Sequence, residues 1–458
     1  MSAPSIDHLK SSFRGELIHP GDANYDSVRK VYNGMIDKRP SLIARCTDVA
    51  DVMAAVAYGR DNGLLTAIRG GGHNGAGLAT CDGGLVIDLS RMKGIRVDPA
   101  AKTVRVEGGC VWGEVDHATH AFGMAAPCGF ISTTGVAGLT LGGGIGYLTR
   151  KYGLTIDNLL SVDMVLADGS FVTANATQHS DLFWAVRGGG GNFGVVTSFE
   201  FRLHPVSMVN FGPTFWPLEE ASMVLKAYRD FIVKAPEDVN GFFAFLVIPP
   251  APMFPAHLHM KMVCGIVWCC QGSLEAAEAA LKPMRSIGNP VFDHVGPAPF
   301  PVVQSMFDGL FVPGLQWYWR ADNFTELSDE AIARHVEHGS KIPNMLSTMH
   351  LYPVNGAAQR VGRNDTAYSF REALFAEVIV GVDPDPSNAG MITQWCKEYW
   401  EALHPYSAGG AYVNFMMDEG QDRVQATYRD NYPRLVEIKR RYDPKNFFRV
   451  NQNIRPAD

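Results

Sequence analysis

The chain of 458 residues is long enough for two or three domains and a large core, and its 46% apolar and 19% charged residues are those of a globular protein. A net charge of −7, a pI of about 6.1 and the lack of any Lys/Arg block argue against nucleic acid or an anionic membrane as a partner. No secretory leader and no run of about 18 apolar residues occurs, and the eight scattered cysteines form no disulfide or zinc pattern, so a cytoplasmic setting without a metal is expected.

Taken in chain order, residues 47–63 read as an amphipathic helix with Thr47 as N-cap and Gly63 just past its end. An apolar strand, 64–68, runs into the glycine loop Arg69-Gly70-Gly71-Gly72-His73-Asn74-Gly75. Short strands are expected at 85–89, 95–97 and 103–107, then a helix around 111–122. The stretch from Ser132 to Gly146 alternates tiny and apolar residues, which lets backbone approach a large flat ligand. Asp168-Gly169 marks a hairpin between strands 161–167 and 170–174. A helix at 181–187 and a strand at 194–203 close this part.

Composition shifts near His204-Pro205. Beyond it, aromatic-rich strands are expected at 242–248, 257–268, 349–352 and 374–382, with helices near 273–286, 326–338 and 387–402. The tail holds a short strand at 411–415 and a helix near 424–441, which ends at Tyr442-Asp443-Pro444.

The 47 glycines exceed an ordinary share of about 7% and concentrate between residues 70 and 194, so they belong to specific loops. Successive N–H groups freed of side chains make an anion cradle suited to phosphate. G-x-G-x-x-G occurs at Gly70/Gly72/Gly75 and at Gly189/Gly191/Gly194, but neither match sits between a strand and a helix, which argues against a Rossmann fold. His73 on such a loop reads as functional. Cys128, by its spacing alone, reads as a small buried hydrophobe. His117/His120 and His257/His259 lack partners for a metal. Trp317-Tyr318-Trp319 reads first as core. No G-x-S-x-G elbow or P-loop lysine appears.

The motifs Arg69–His73, Gly135–Gly146, Lys151–Asn158, Trp184–Val196, Tyr412–Phe415, Tyr442–Asn446 and Asn451–Asn453 together resemble the berberine bridge enzyme-like flavoproteins, especially the bacterial members. The resemblance covers roughly 20–206 and 400–455. It implies an α+β fold: a two-part PCMH-type FAD-binding domain (1–205 with the returning segment 405–458) and an antiparallel-sheet substrate domain with flanking helices (206–404). It also implies that His73 carries FAD through the 8α-methyl group, and that Cys128 adds a thioether to the ring, a link that varies within the family. The implied cradle is Arg69, Gly70, Gly71, Gly72, His73, Asn74, Gly75, Gly77, Ser132, Thr133, Gly135, Gly138, Gly143, Gly146, Val195, Asn414 and Asn451.

Many plant members end the motif Tyr-x-Asn-Tyr with a catalytic phenol; here that position is Phe415. Tyr147, Tyr352, Tyr412 and the pair Asp418/Glu419 are the candidate bases. On a regular strand Tyr412 and Phe415 would face opposite sides, which favours an acceptor from the substrate domain or the Tyr147 loop. The expected activity is oxidation of an alcohol, sugar or amine by hydride transfer to flavin N5, with oxygen or another acceptor closing the cycle. The alternative is a lyase or cyclase that uses flavin without net redox.

Overall fold

The computed structural model describes residues 5–457. Three sheets organise it. The first has the order Glu16–Ile18, Leu42–Arg45, Leu85–Asp88, Thr66–Arg69; its first pair is antiparallel and the others parallel. Helix Val49–Asp61 makes the crossover from Leu42–Arg45 to Thr66–Arg69. It starts one residue later than expected, because Asp48 rather than Thr47 accepts from the Asp51 N–H. Thr47 instead donates its hydroxyl to the Asp51 carboxylate.

The second sheet is antiparallel throughout, in the order Ile95–Asp98, Thr103–Glu107, Val195–Arg202, Leu159–Val165, Phe171–Asn175. The expected hairpin is present, and Gly169 supplies the positive φ of +85° that its turn needs.

The third sheet dominates the rest of the chain. Its main path runs Phe292–Asp293, Met208–Pro217, Met262–Cys270, Val239–Val247, Thr348–Pro353, Phe375–Asp383, Gln316–Phe324, and Gly296–Pro299 also pairs with Met208–Pro217. Strand alternation divides it cleanly. Phe243, Phe245, Ile266, Leu351 and Ile379 face a core built with helices Ala221–Ile232, Leu274–Arg285, Asp329–Gly339 and Ala389–Leu403. Phe242, Ala244, Val267, Tyr352 and Val378 point the other way, into the core shared with the second sheet.

Four expectations need correction. His257 and His259 are not strand residues: Pro255 opens a turn over Ala256–Leu258, Met260 takes φ +61°, and the strand begins only at Met262. The Met208–Pro217 and Gln316–Phe324 strands were not anticipated. Residues 411–415 form no strand; Val413–Phe415 is a single 3-10 turn. The tail helix is two helices, Gln421–Tyr428 and Tyr432–Tyr442, broken where Arg429 takes φ +49° and restarted with Pro433 in the first turn.

Buried Lys439 fastens the last helix. Its Nζ donates to the carbonyls of Asn192 (2.7 Å) and Phe448 (2.8 Å) and to the Asp443 carboxylate (2.6 Å). Asp443 in turn accepts from the Phe447 and Phe448 N–H groups. That knot brings Asn451 back to the N-terminal half, where its Nδ2 donates to the Gly191 carbonyl. No helix among the described residues is long and apolar enough to cross a membrane.

Candidate active site

A cavity of about 530 Å³ lies between the glycine loops and the inner face of the large sheet. Its N-terminal wall is mostly bare backbone. Gly71 and Gly135 bring two loops into main-chain contact: a Cβ on Gly71 would stand 2.5 Å from the Gly135 Cα. Gly138 and Gly191 are different. A Cβ on either would meet no protein atom within 4 Å, yet both line the cavity. Packing within the protein does not require those two glycines, which leaves a ligand lying against the main chain as their physical reason.

His73 stands on this wall. Its ring stacks on Tyr32 (centroids 3.8 Å apart, 24° between planes), and Tyr32 is held by its hydroxyl on the Phe311 carbonyl at 2.7 Å. The His73 Nε2 is buried without a hydrogen-bond partner. Burial lowers the ring's pKa to about 4, so it is neutral near pH 7. A neutral imidazole held by stacking, with one nitrogen unspent, is a nucleophile in waiting.

Of the cofactor positions expected from sequence, Gly70, Gly71, Gly72, His73, Asn74, Gly135, Gly138, Asn414 and Asn451 line the cavity. The others do not. Arg69 is buried, donating to the Val28, Arg29 and Ala79 carbonyls beside Asp88. Gly75, Gly77, Gly143 and Gly146 admit close neighbours inside the protein: Trp319, Ile36, Tyr368 and the Cys128 carbonyl. Val195 belongs to the core beneath the first sheet. Ser132 donates to the Asp308 carboxylate. Thr133 lies outside the cavity wall with its buried Oγ1 unpartnered.

Cys128 is placed otherwise than the resemblance implies. Gly129, Phe130 and Ile131 form the wall there, while Cys128 is turned away and fully buried. Its Sγ accepts a hydrogen bond from Gln304 Nε2 at 2.7 Å. Burial, with Asp116 close by, pushes the thiol well above its ordinary range, which leaves it protonated and inert. The bland reading from spacing describes this residue; Ile131 occupies the cavity-facing place.

Opposite His73, the large sheet presents His350 and Tyr352. They are two apart on one strand, so they share a face, and the His350 Nδ1 lies 2.6 Å from the Tyr352 hydroxyl. Burial lowers His350 to about 3 and raises the Tyr352 phenol. The ring is thus neutral near pH 7, and in the tautomer whose proton is on Nε2 the phenol donates to Nδ1. Sequence reasoning singled out Tyr352 but missed His350, although the i, i+2 pairing on an expected strand was the available signal.

Of the other candidate bases, Tyr412 and Glu419 are engaged elsewhere, Asp418 is exposed, and the Tyr147 hydroxyl is buried without a hydrogen-bond partner. The Tyr412 hydroxyl accepts from the Gly144 N–H (2.8 Å) and from Asn414 Nδ2 (2.7 Å), and burial raises it to about 12. Its ring meets Phe415 edge-on at 4.8 Å, because the 3-10 turn replaces the strand that would have opposed them. Tyr147 is outside the cavity wall, against the edges of Phe130 and Phe211, and burial raises its phenol. Asp418 is exposed. Glu419 is paired with Arg320 and Arg423. Phe415 itself lies 5.8 Å from the Tyr352 ring, so Tyr352 stands next to the position of the missing phenol.

The cavity therefore suits FAD: a backbone cradle with bare glycines, one unspent imidazole nitrogen, and the buried, unpartnered Asn451 Oδ1. Comparison with known proteins agrees. Residues 40–175 match the FAD binding domain family, and residues 411–455 the family described as berberine and berberine like. Over 455 residues the chain is 30% identical to an FAD-linked oxidoreductase of Dictyostelium discoideum, covering 98% of this chain and 97% of that one. It is also 30% identical to the (R)-6-hydroxynicotine oxidase of Paenarthrobacter nicotinovorans, covering 97% of each. The crystal structure of 6-hydroxy-D-nicotine oxidase from Arthrobacter nicotinovorans matches it with a TM-score of 0.86 at 28% identity, over 97% of this chain and 99% of that one. A xylooligosaccharide oxidase from Myceliophthora thermophila shares the fold, with a TM-score of 0.87 at 23% identity over 98% of both chains. The chain belongs to the berberine bridge enzyme-like family of FAD-linked oxidoreductases.

Proposed function

We propose that this enzyme holds FAD through a single covalent link, from His73, and oxidises a small alcohol or amine by hydride transfer, with oxygen or another acceptor restoring the flavin. The observation that carries this reading is the buried, unpartnered Nε2 of His73 on a wall of bare glycine backbone. Bound FAD supplies the two-electron acceptor that no side chain can provide. The protein's part is positional and protonic. Gly71, Gly135, Gly138 and Gly191 leave the main chain open to the cofactor. Phe130, stacked at 4.1 Å on Tyr352, fixes the phenol against the cavity. Tyr352 takes the proton of the substrate hydroxyl while passing its own to the His350 Nδ1; burial keeps the ring neutral near pH 7, so in the Nε2–H tautomer that nitrogen is open to accept.

The test is acid precipitation. Flavin should stay with the wild-type polypeptide and with Cys128→Ala, and His73→Ala alone should release it. Retention of covalent flavin by His73→Ala would overturn the single-link reading.

A further inference from the structure

The register of the large sheet cuts a slot into the cavity. Phe215, Gly265, Ala244, His350 and Val378 are opposite one another on five successive strands, so they form one row across the inner face. Apart from His350 and the end residue Phe215, this row carries only small or short side chains. One flanking row carries Phe242 and Tyr352, and the other Leu246, Thr348 and Trp319. The slot thus starts at the His350–Tyr352 pair, runs over Ala244, and ends where the Phe215 ring lies on Gly265. Its rim includes two exposed methionines, Met253 and Met306, whose flexible thioethers tolerate varied apolar shapes.

The polar inventory is short. Among the described residues, no Asp, Glu, Lys or Arg lines the cavity. The Ser347 hydroxyl is spent on the Val382 backbone and the Thr348 hydroxyl on the Phe245 carbonyl. On the sheet side of the cavity that leaves the His350–Tyr352 pair and two buried indole N–H donors without partners, on Trp317 and Trp319; the unpartnered His73 Nε2, Tyr428 hydroxyl and Asn451 Oδ1 belong to the opposite, glycine-lined side.

We propose that the substrate is an uncharged, lipophilic alcohol: a flat, elongated apolar skeleton carrying one oxidisable C–OH at the Tyr352 end. This rests on the hydride-transfer reading of the same cavity. A carboxylate or ammonium group would be buried with no counter-ion. A sugar would bring several hydroxyls to a wall that can satisfy one or two, and each left unpaired weakens binding by about tenfold or more. Oxidation breaks the carbinol C–H and O–H bonds and forms C=O. Bound FAD would supply the acceptor for the hydride, and the Tyr352–His350 pair would take the hydroxyl proton. Dioxygen or another two-electron acceptor of the family's activity takes up the electrons.

The experiment uses the holoenzyme under anaerobic conditions. It reads quenching of tryptophan fluorescence, since Trp317 and Trp319 line the cavity, alongside bleaching of the flavin band. The probes are benzyl alcohol and its 4-methyl, 4-propyl and 4-pentyl derivatives, set against cellobiose, 4-(hydroxymethyl)benzoate and 4-(aminomethyl)benzyl alcohol. Affinity should tighten about fourfold for each added methylene, the charged probes and cellobiose should bind at least tenfold more weakly than 4-propylbenzyl alcohol, and Ala244→Leu should erase the gradient. If cellobiose or a charged probe binds more tightly and bleaches the flavin, the substrate class is wrong while hydride transfer stands. If the alkyl gradient holds but product forms without bleaching, the substrate class stands and the redox reading falls. A wild-type series with no gradient overturns the slot, whether or not Ala244→Leu folds.

Discussion

Tyr352→Phe isolates one oxygen atom. The ring keeps its contacts with Phe130 at 4.1 Å, Phe242 at 5.1 Å and Phe415 at 5.8 Å, so the cavity should retain its shape. What disappears is the proton path from substrate to the His350 Nδ1, 2.6 Å away. Loss of a positioned general base lowers the rate about 10²–10⁴-fold, roughly 3–5 kcal/mol of barrier. Ground-state binding loses at most one neutral hydrogen bond, about 0.5–1.5 kcal/mol or some two- to twelvefold in affinity. The expected signature is therefore a split between rate and binding.

Anaerobic stopped-flow with 4-pentylbenzyl alcohol reads both quantities, the limiting rate of flavin bleaching and the dissociation constant from its substrate dependence. Because burial lowers His350 to about 3, the imidazole stays neutral over the working range, and the wild-type rate should be flat from about pH 5 to 8. Tyr412→Phe is the matched control. It removes a hydroxyl that accepts from Gly144 and Asn414, so its effect should fall on flavin retention more than on the reduction rate. A Tyr352→Phe enzyme within fivefold of wild type, or a hundredfold loss confined to Tyr412→Phe, would refute the assignment.

Gly138→Ala should separate cofactor binding from folding: the residue sits in helix Val136–Gly142 with no protein atom near its missing Cβ, so alanine should stabilise the flavin-free chain by about 0.5–1 kcal/mol while lowering flavin content per polypeptide. Full flavin occupancy in that variant would show that the bare backbone serves something else. Lys439→Met leaves Asp443 buried without its ion-pair partner, and should destabilise the protein by about 3–5 kcal/mol in urea unfolding. Asp116, buried behind Cys128, is raised to about 8 by burial, so the folded state holds a proton that the unfolded chain releases near pH 4; stability should fall by up to about 1.4 kcal/mol per pH unit as pH rises from about 4 toward 8. Asp116→Asn should flatten that slope between pH 5.5 and 7.5, and an unchanged slope would mean that the carboxyl is ionised throughout.

The glycine wall of the cavity was legible in the sequence, because its character lies in the absence of side chains. Gly70–Gly72, Gly135 and Gly138 announce bare backbone by residue type alone, and His73 stands out against them. Orientation was not legible. Whether Cys128 or Ile131 faces the cavity turns on three positions in one loop, and the choice is stabilised by Gln304, which donates to the thiol from 176 residues further along. The Met208–Pro217 strand was hidden by its own breakers. Gly212 takes φ +149° because the His294 carbonyl occupies the space of a Cβ, and Pro213 keeps its place while its carbonyl accepts from the His294 N–H at 3.0 Å.

The substrate half is unreadable from sequence for a deeper reason. Each strand shows its own period of two, which tells that Ala244, His350 and Val378 each share a face with their i±2 neighbours. Nothing local tells that these three stand in one row, since that depends on a strand order in which 239–247, 348–353 and 375–383 lie side by side. A slip of one residue in either pairing would turn the small side chains to the helix layer and bring Phe243 or Ile379 into the slot. On the proposed reading specificity is thus written in register, and the glycine signature of the opposite wall carries no information about what is oxidised.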